Sequence, residues 1–229
     1  MALSDLFSRL KRVDPNSDTG ATSSAPVSPT KALGKFVAGL AGREAPVLLD
    51  LGPVIGGNVS FFGERLGCKI VVEDIAKDID RHVTERRLAE LPRFFETRVA
   101  REDESVDGIL CWDLFDFLDK NSAVPLARQL TRCLRPGGLV FAFFNTHELK
   151  QGTTPPPAVY TKYVVVEGTK LQQRPYAAAR GKQRPFQNRD IQKMFEPLRI
   201  THQFLLKSHM REVLFRKPMP GDPPAPPTI

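Results

Sequence analysis

Residues 47–58, Val-Leu-Leu-Asp-Leu-Gly-Pro-Val-Ile-Gly-Gly-Asn, join an apolar run to an acidic residue and then to a glycine-punctuated turn. A short apolar run bounded by a turn reads as a buried strand, and the residues after the glycines read as a helix. Glycines at such a turn let backbone approach a ligand closely, and the helix that follows offers unpaired N–H groups. The stretch therefore predicts an open α/β sheet with a nucleotide-type crevice at the carboxyl ends of its strands.

Two kinds of cofactor compete for that crevice. The dinucleotide fingerprint needs Gly-x-Gly-x-x-Gly, whose middle glycine lets backbone meet a pyrophosphate. Counting from Gly52, Val54 stands at the middle position and Gly57 at the third. A valine side chain crowds that space, and the charge of Asp50 disfavours an anionic group beside it. A cofactor that carries a cationic amine and a sulfonium, without phosphate, suits both residues better. A nicotinamide-dependent enzyme is the weaker reading, and a glycine turn with no ligand is the bland one.

The chain has 229 residues, of which 41% are hydrophobic, enough for one domain of ordinary size or two small ones. No apolar run approaches ~18 residues, so no membrane span is expected. Residues 1–12 lack the apolar block of a signal peptide, and Leu3, Leu6, Phe7 and Leu10 have the spacing of a short amphipathic helix. Neither Cys68, Cys111 and Cys133 nor His82, His147, His202 and His209 show pairing or metal-ligand spacing. A reducing, cytoplasmic setting and no metal are expected. The net charge of +7 admits an acidic partner such as nucleic acid without requiring one.

Residues 1–30 are expected to be disordered or weakly helical, with 13–30 a Ser/Thr/Pro-rich linker, and residues 218–229 an extended Pro-rich tail. The folded domain then covers residues 31–217. Leu33, Phe36, Val37 and Leu40 predict a helix over 31–42. Strands are predicted over 47–50, 69–73, 106–111 and 139–144, with helices over 58–66, 79–90 and 124–134. The last helix stops at Arg135-Pro136-Gly137-Gly138. Residues 161–166 read as an additional strand. Asn188 reads as the cap of a helix that turns Ile191, Met194, Phe195 and Leu198 inward. Residues 200–206 and 212–215 read as two antiparallel strands. Alternating βα units closed by such a pair give a mostly parallel sheet with one antiparallel strand near the C-terminus. Residues 92–104 carry little strand signal.

The stretch 47–58 resembles motif I of the class I S-adenosylmethionine-dependent methyltransferases, an apolar run followed by Asp/Glu-x-Gly-x-Gly-x-Gly. Asp50, Gly52 and Gly56 match, and Val54 replaces the central glycine. Three further stretches follow in the family's order. Val71-Val72-Glu73-Asp74 closes the second strand, where an acid accepts hydrogen bonds from ribose hydroxyls; either acid suits, with spacing favouring Glu73. Residues 105–118, with Asp107 as a structural acid, resemble the fourth strand and the turn after it. Leu134-Arg135-Pro136-Gly137-Gly138 is similar to the family's helix-turn-strand junction.

The resemblance covers residues 31–217 and implies an α/β, Rossmann-like three-layer sandwich. Its sheet would be mostly parallel and seven-stranded, in the order 3-2-1-4-5-7-6, with the third strand between residues 92 and 104. It implies S-adenosylmethionine as cofactor. Asp50, Gly52 and Gly56 would shape the methionine end, Pro53, Val54 and Asn58 would also line the cofactor site, and Glu73 or Asp74 would hold the ribose. Cys111, Trp112 and Asp113 would lie beside it, Trp112 covering the cofactor or the substrate. The expected activity is methyl transfer to an unidentified acceptor by direct displacement. The alternative is a methyltransferase-like fold that binds or scaffolds without catalysis.

Residues 145–187 are the expected substrate-side insert. His147 is the best-placed histidine for a base, though a loop histidine is more often simply solvated. Gln173-Arg174-Pro175-Tyr176 and Gln183-Arg184-Pro185-Phe186 form a near-repeat, joined by Arg180, Lys182 and Arg189. Such a stretch suits phosphates and bases, a lid over an acidic small molecule, or an ordinary exposed loop. No Asp/Asn-Pro-Pro-Tyr/Phe follows the fourth strand, so the acceptor, small molecule or macromolecule, stays open.

Overall fold

The computed structural model describes residues 25–148 and 157–223. Strand β1 (Val27–Pro29) and helix α1 (Ala32–Ala41) lead into β2 (Val47–Asp50). After the glycine turn comes α2 (Gly56–Val59), which widens into a π-helical stretch over Ser60–Arg65. Then follow β3 (Lys69–Val72), α3 (Ile75–Thr84), α4 (Leu91–Phe95), β4 (Val106–Trp112), α5 (Lys120–Cys133) and β5 (Leu134–Asn145). The last third holds β6 (Val159–Glu167), β7 (Lys170–Ala177), α6 (Asn188–Met194), β8 (Arg199–Leu205) and β9 (Met210–Arg216).

Six strands form the main sheet in the order β3-β2-β4-β5-β9-β8. β3, β2, β4 and β5 are parallel, and β9 runs antiparallel to both β5 and β8. Every residue of β4 is buried, as a parallel strand covered on both faces requires. One face packs Leu48, Leu110, Phe141 and Leu214 against the Leu33/Phe36/Val37/Leu40 stripe of α1. The other packs Leu49, Ile109, Val140 and Phe215 against α3, α5 and α6. Burial of these two apolar faces drives the sandwich.

Polar anchors fix the layers. Asp107 accepts hydrogen bonds from the N–H of Val47 and from the guanidinium groups of Arg43 and Arg135, so it is the structural acid expected. Glu212 of β9, fully buried, accepts the N–H groups of Lys31 and Ala32 at the start of α1. Asp74 and Asp119 cap α3 and α5.

Several expectations are corrected. Among the described residues the main sheet has six strands, not seven. Residues 92–104 supply no strand, because Leu91 and Phe95 stand four apart and bury one helical face in the core beside Leu126 and Leu130. The helix expected over 79–90 runs from Ile75 to Thr84, and α5 begins at Lys120. Gln187, not Asn188, occupies the cap position of α6.

Among the described residues, structure continues before Lys31, where β1 pairs antiparallel with β7. The strand expected over 161–166 exists as β6, but in a separate three-stranded sheet, β1-β7-β6. The first residues of the expected tail also pack. Met219 Sδ lies against Gly137, and Asp222 pairs with Arg216 at 2.6 Å. The N-terminal amphipathic helix lies outside the described residues. No helix among the described residues is long and apolar enough to cross a membrane.

Candidate functional site

From β2 the chain passes outward to β3 and then back across to β4. The crevice between the carboxyl ends of β2 and β4 is thus a topological switch point, the usual ligand position in open α/β sheets. Asp50 ends β2 there, 4% exposed. Its Oδ1 accepts the N–H of Gly52 at 2.9 Å and the indole N–H of Trp112 at 2.7 Å. Burial raises its carboxyl from 3.8 to about 6, the two hydrogen bonds oppose the shift, and the charge of Asp74 adds to it.

Trp112 owes its position to a bulge. Leu110 pairs with Phe141 and Trp112 with the next residue, Ala142, so Cys111 is extra and the ladder is offset. Trp112 takes φ +51°, a left-handed conformation costly for a bulky residue. Its ring turns over the glycine loop. A Cβ on Gly52 would lie 3.0 Å from the indole Cδ1 and 3.1 Å from Nε1. The ring stacks on Tyr163 (centroids 5.3 Å apart, planes 8° apart), which stacks in turn on Phe143.

Tyr163 belongs to β6, and β6 is tied to α2. Asn58 Nδ2 donates to the Tyr163 carbonyl, and Asn58 Oδ1 accepts the Val165 N–H, each at 2.8 Å. Val164 Cγ1 lies against Gly57. Tyr160 Oη and the N–H of Ala179 both donate to Asp80 of α3. The small sheet thus covers the ends of β2 and β4.

The acids beyond the strands are also engaged. Glu73 pairs with Arg98 at 2.7 Å, and Arg98 pairs with Asp78 of α3. Asp74 caps α3 and pairs with Lys77. Asp113 and Asp116, both buried, share the ammonium of Lys182 at 3.0 and 2.9 Å. Asp116 also accepts the N–H of Asn145. Burial and Asp113 raise the Asp116 carboxyl to about 6 against the pull of Lys182. The same two acids hold Lys182 well above its ordinary value, overriding its burial.

Asp50, Gly52, Trp112 and Asp113 therefore lie around one crevice. Asn58 sits at its edge with both amide atoms bound to β6. Pro53 is half-buried, Gly56 is exposed with open space where a Cβ would stand, and Val54 turns to solvent at 71% exposure. Cys111, expected beside the cofactor, is fully buried in the opposite core with Ile109 and Phe115, because strand alternation sends it to the other face. His147 is exposed, and its ring lies 5.7 Å from that of His209 on the β8–β9 turn, on the β9 side of β5. Among the described residues no group of His, Cys, Asp or Glu could hold a metal ion.

Sequence reasoning did not single out Tyr163 or Arg98, and it placed Lys182 in a basic stretch suited to phosphates and bases, to a lid over an acidic small molecule, or to an exposed loop. Lys182 and Arg180 instead pair with Asp113, Asp116 and Asp119. Three acids within seven residues after β4 were the available signal that cations must come to them.

A family model described as a methyltransferase domain matches residues 49–142. No curated protein matches the chain. Among solved structures it is similar to the CcbJ methyltransferase of Streptomyces caelestis (16% identity, 81% of this chain and 93% of that one, TM-score 0.46). It is similar to an S-adenosylmethionine-dependent methyltransferase of Clostridium acetobutylicum (13% identity, 80% and 91%, TM-score 0.44). It is also similar to the 1,6-didemethyltoxoflavin-N1-methyltransferase of Burkholderia thailandensis, solved with 1,6-didemethyltoxoflavin and S-adenosylhomocysteine (14% identity, 82% and 77%, TM-score 0.43).

Proposed function

We propose that this chain, whose residues 49–142 match a methyltransferase-domain model, is a class I S-adenosylmethionine-dependent methyltransferase that binds its cofactor between β2 and β4 and transfers the methyl group to an acceptor by direct displacement. The observation that carries the reading is Asp50, a carboxylate buried at the switch point with its oxygen turned onto the N–H of Gly52.

The donor set fits the cofactor. Asp50 is an anionic acceptor for its amine, and Gly52 and Gly56 bring bare backbone to its methionine end. Asp74 is our choice for the ribose hydroxyls, since a carboxylate accepts two donors at once. Its charge acts on Asp50 and its ion-pair partner Lys77 is a solvent-exposed chain, whereas Glu73 is held by Arg98, which is itself tied to Asp78.

What the cofactor supplies when bound is a methyl carbon made electrophilic by its sulfonium. The chain's part is to hold the acceptor in line and keep water away. The stacked Phe143 and Tyr163 serve the second task. Residues 178–187, held by Lys182 to Asp113 and Asp116, build the acceptor side. We assign no general base, and an acceptor that is already a carboxylate or thiolate needs none.

Calorimetric titration with S-adenosylmethionine and S-adenosylhomocysteine, with NAD as control, tests the reading. Micromolar binding, about −8 kcal/mol, that is lost in Asp50→Ala and weakened in Asp74→Ala supports it. No binding at millimolar cofactor by folded protein overturns it and leaves a methyltransferase-like fold used as a scaffold.

A further inference from the structure

We propose that Trp112 and the β6–β7 pair form an internal latch that occupies the cofactor crevice, so that ligand enters only as the indole leaves Asp50; this rests on the S-adenosylmethionine reading above. The indole covers the two features which that reading gives to the methionine end. It holds Asp50 Oδ1 at 2.7 Å, supplying the N–H donor that an amine would otherwise supply. It also lies against Gly52 so closely that even a Cβ there would be 3.0 Å from the ring. A gap too small for one methyl group leaves no layer for a ligand there.

The latch is built to be released. Trp112 is held in a left-handed conformation at a bulge, where a bulky side chain is strained. Any rearrangement of the bulge that relaxes this φ also carries the indole away from Asp50. Tyr163, which backs the indole, belongs to the three-stranded sheet, and that sheet shares no hydrogen-bond ladder with the six-stranded one. The described polar ties of β6 and the segment after β7 to the body include side-chain contacts to Asn58, Asp80, Asp113, Asp116 and Asp119 and one backbone bond from Gln183 to Asp116. The small sheet can therefore lift without breaking the main ladder. A site open only a fraction of the time shows its intrinsic affinity reduced by that fraction.

Trp112 is the only tryptophan in the chain, so its fluorescence reports the latch directly. S-adenosylhomocysteine is titrated into the full chain, following emission, acrylamide quenching and, in parallel, heat. The latch predicts an emission shift to longer wavelength and greater quenching, with the calorimetric midpoint. Trp112→Phe, which lacks the N–H and fills less space, is expected to bind about tenfold more tightly, as for a latch closed nine-tenths of the time. Tyr163→Ala is expected to tighten binding too, and to raise quenching of Trp112 before any ligand is added. Circular dichroism establishes that both variants are folded.

Binding to wild type with Trp112 emission and quenching unchanged overturns the latch and leaves the cofactor reading standing. So does affinity in folded Trp112→Phe that is no tighter than wild type. No binding to wild type or to either folded variant overturns the cofactor reading, and the latch with it.

Discussion

The indole N–H of Trp112 and the backbone N–H of Gly52 converge on one oxygen of Asp50, at 2.7 and 2.9 Å, within a crevice that buries the carboxylate. Two donors on one oxygen do not replace the hydration that a carboxylate loses, and burial holds the group at about 6 instead of 3.8. A raised folded value means that the folded chain binds the proton more tightly. The stability this gives is complete below the unfolded value and is lost as pH rises through about 6. Between those limits the loss is on the order of 3 kcal/mol.

Asp50→Asn keeps an oxygen for both donors and removes the charge. It is expected to be as stable as wild type or more so at about pH 7.5, by up to ~3 kcal/mol, while S-adenosylmethionine binding is lost. Its stability should vary less with pH over the acid range. Urea denaturation at acid and neutral pH, beside calorimetry, checks both halves.

Lys182 neutralises two buried acids that would otherwise face each other uncompensated. Lys182→Met should destabilise the fold by about 2–4 kcal/mol at neutral pH, the figure for breaking a buried pair reduced for its partial exposure. Asp116 titrates at about 6 already and would be pushed higher without the ammonium. The variant should therefore recover stability steeply as pH falls through that range, which urea midpoints across a pH series will read.

Asn58→Ala leaves the Tyr163 carbonyl and the Val165 N–H buried without their partner. Each orphaned group costs about 1–3 kcal/mol. A loss of about 2–4 kcal/mol is expected, together with faster hydrogen exchange at the Val165 amide as β6 detaches from α2.

Gly52→Ala puts a methyl 3.0 Å from the Trp112 ring. The ring must shift, so Trp112 emission should move to longer wavelength without ligand, with a stability loss of about 1–3 kcal/mol from overpacking. An unchanged spectrum would show that the indole does not rest on Gly52 in solution.

Much of this architecture is legible in the sequence because local rules govern it. The apolar run before Asp50, the helical stripe of α1 and the stop after α5 each depend on residues within a few positions of one another. Gly137, left-handed at φ +72°, lies inside β5 at the irregularity where the register with β4 shifts; the Arg-Pro-Gly-Gly stretch announces a break there but reads as a turn rather than as the start of a strand. The β8–β9 pairing is likewise local, since its strands are separated by a short polar link. Residues 92–104 show where such reading meets its limit. A weak strand signal says that a third strand is doubtful, but not that Leu91 and Phe95 will bury a helical face against α5.

The sequence by itself determined the α/β layering and the acidic glycine turn at the end of β2, because strand and helix periods and turn chemistry are short-range. Tertiary structure alone decided what fills the crevice. A one-residue bulge turned Trp112 onto Asp50, 62 residues away, and Asn58 fastened β6 across 105 residues. Lys182 reached Asp113 and Asp116 over 69 and 66 residues. Pairings at such separations follow from how two sheets stack and where a ladder slips, and no local pattern encodes either.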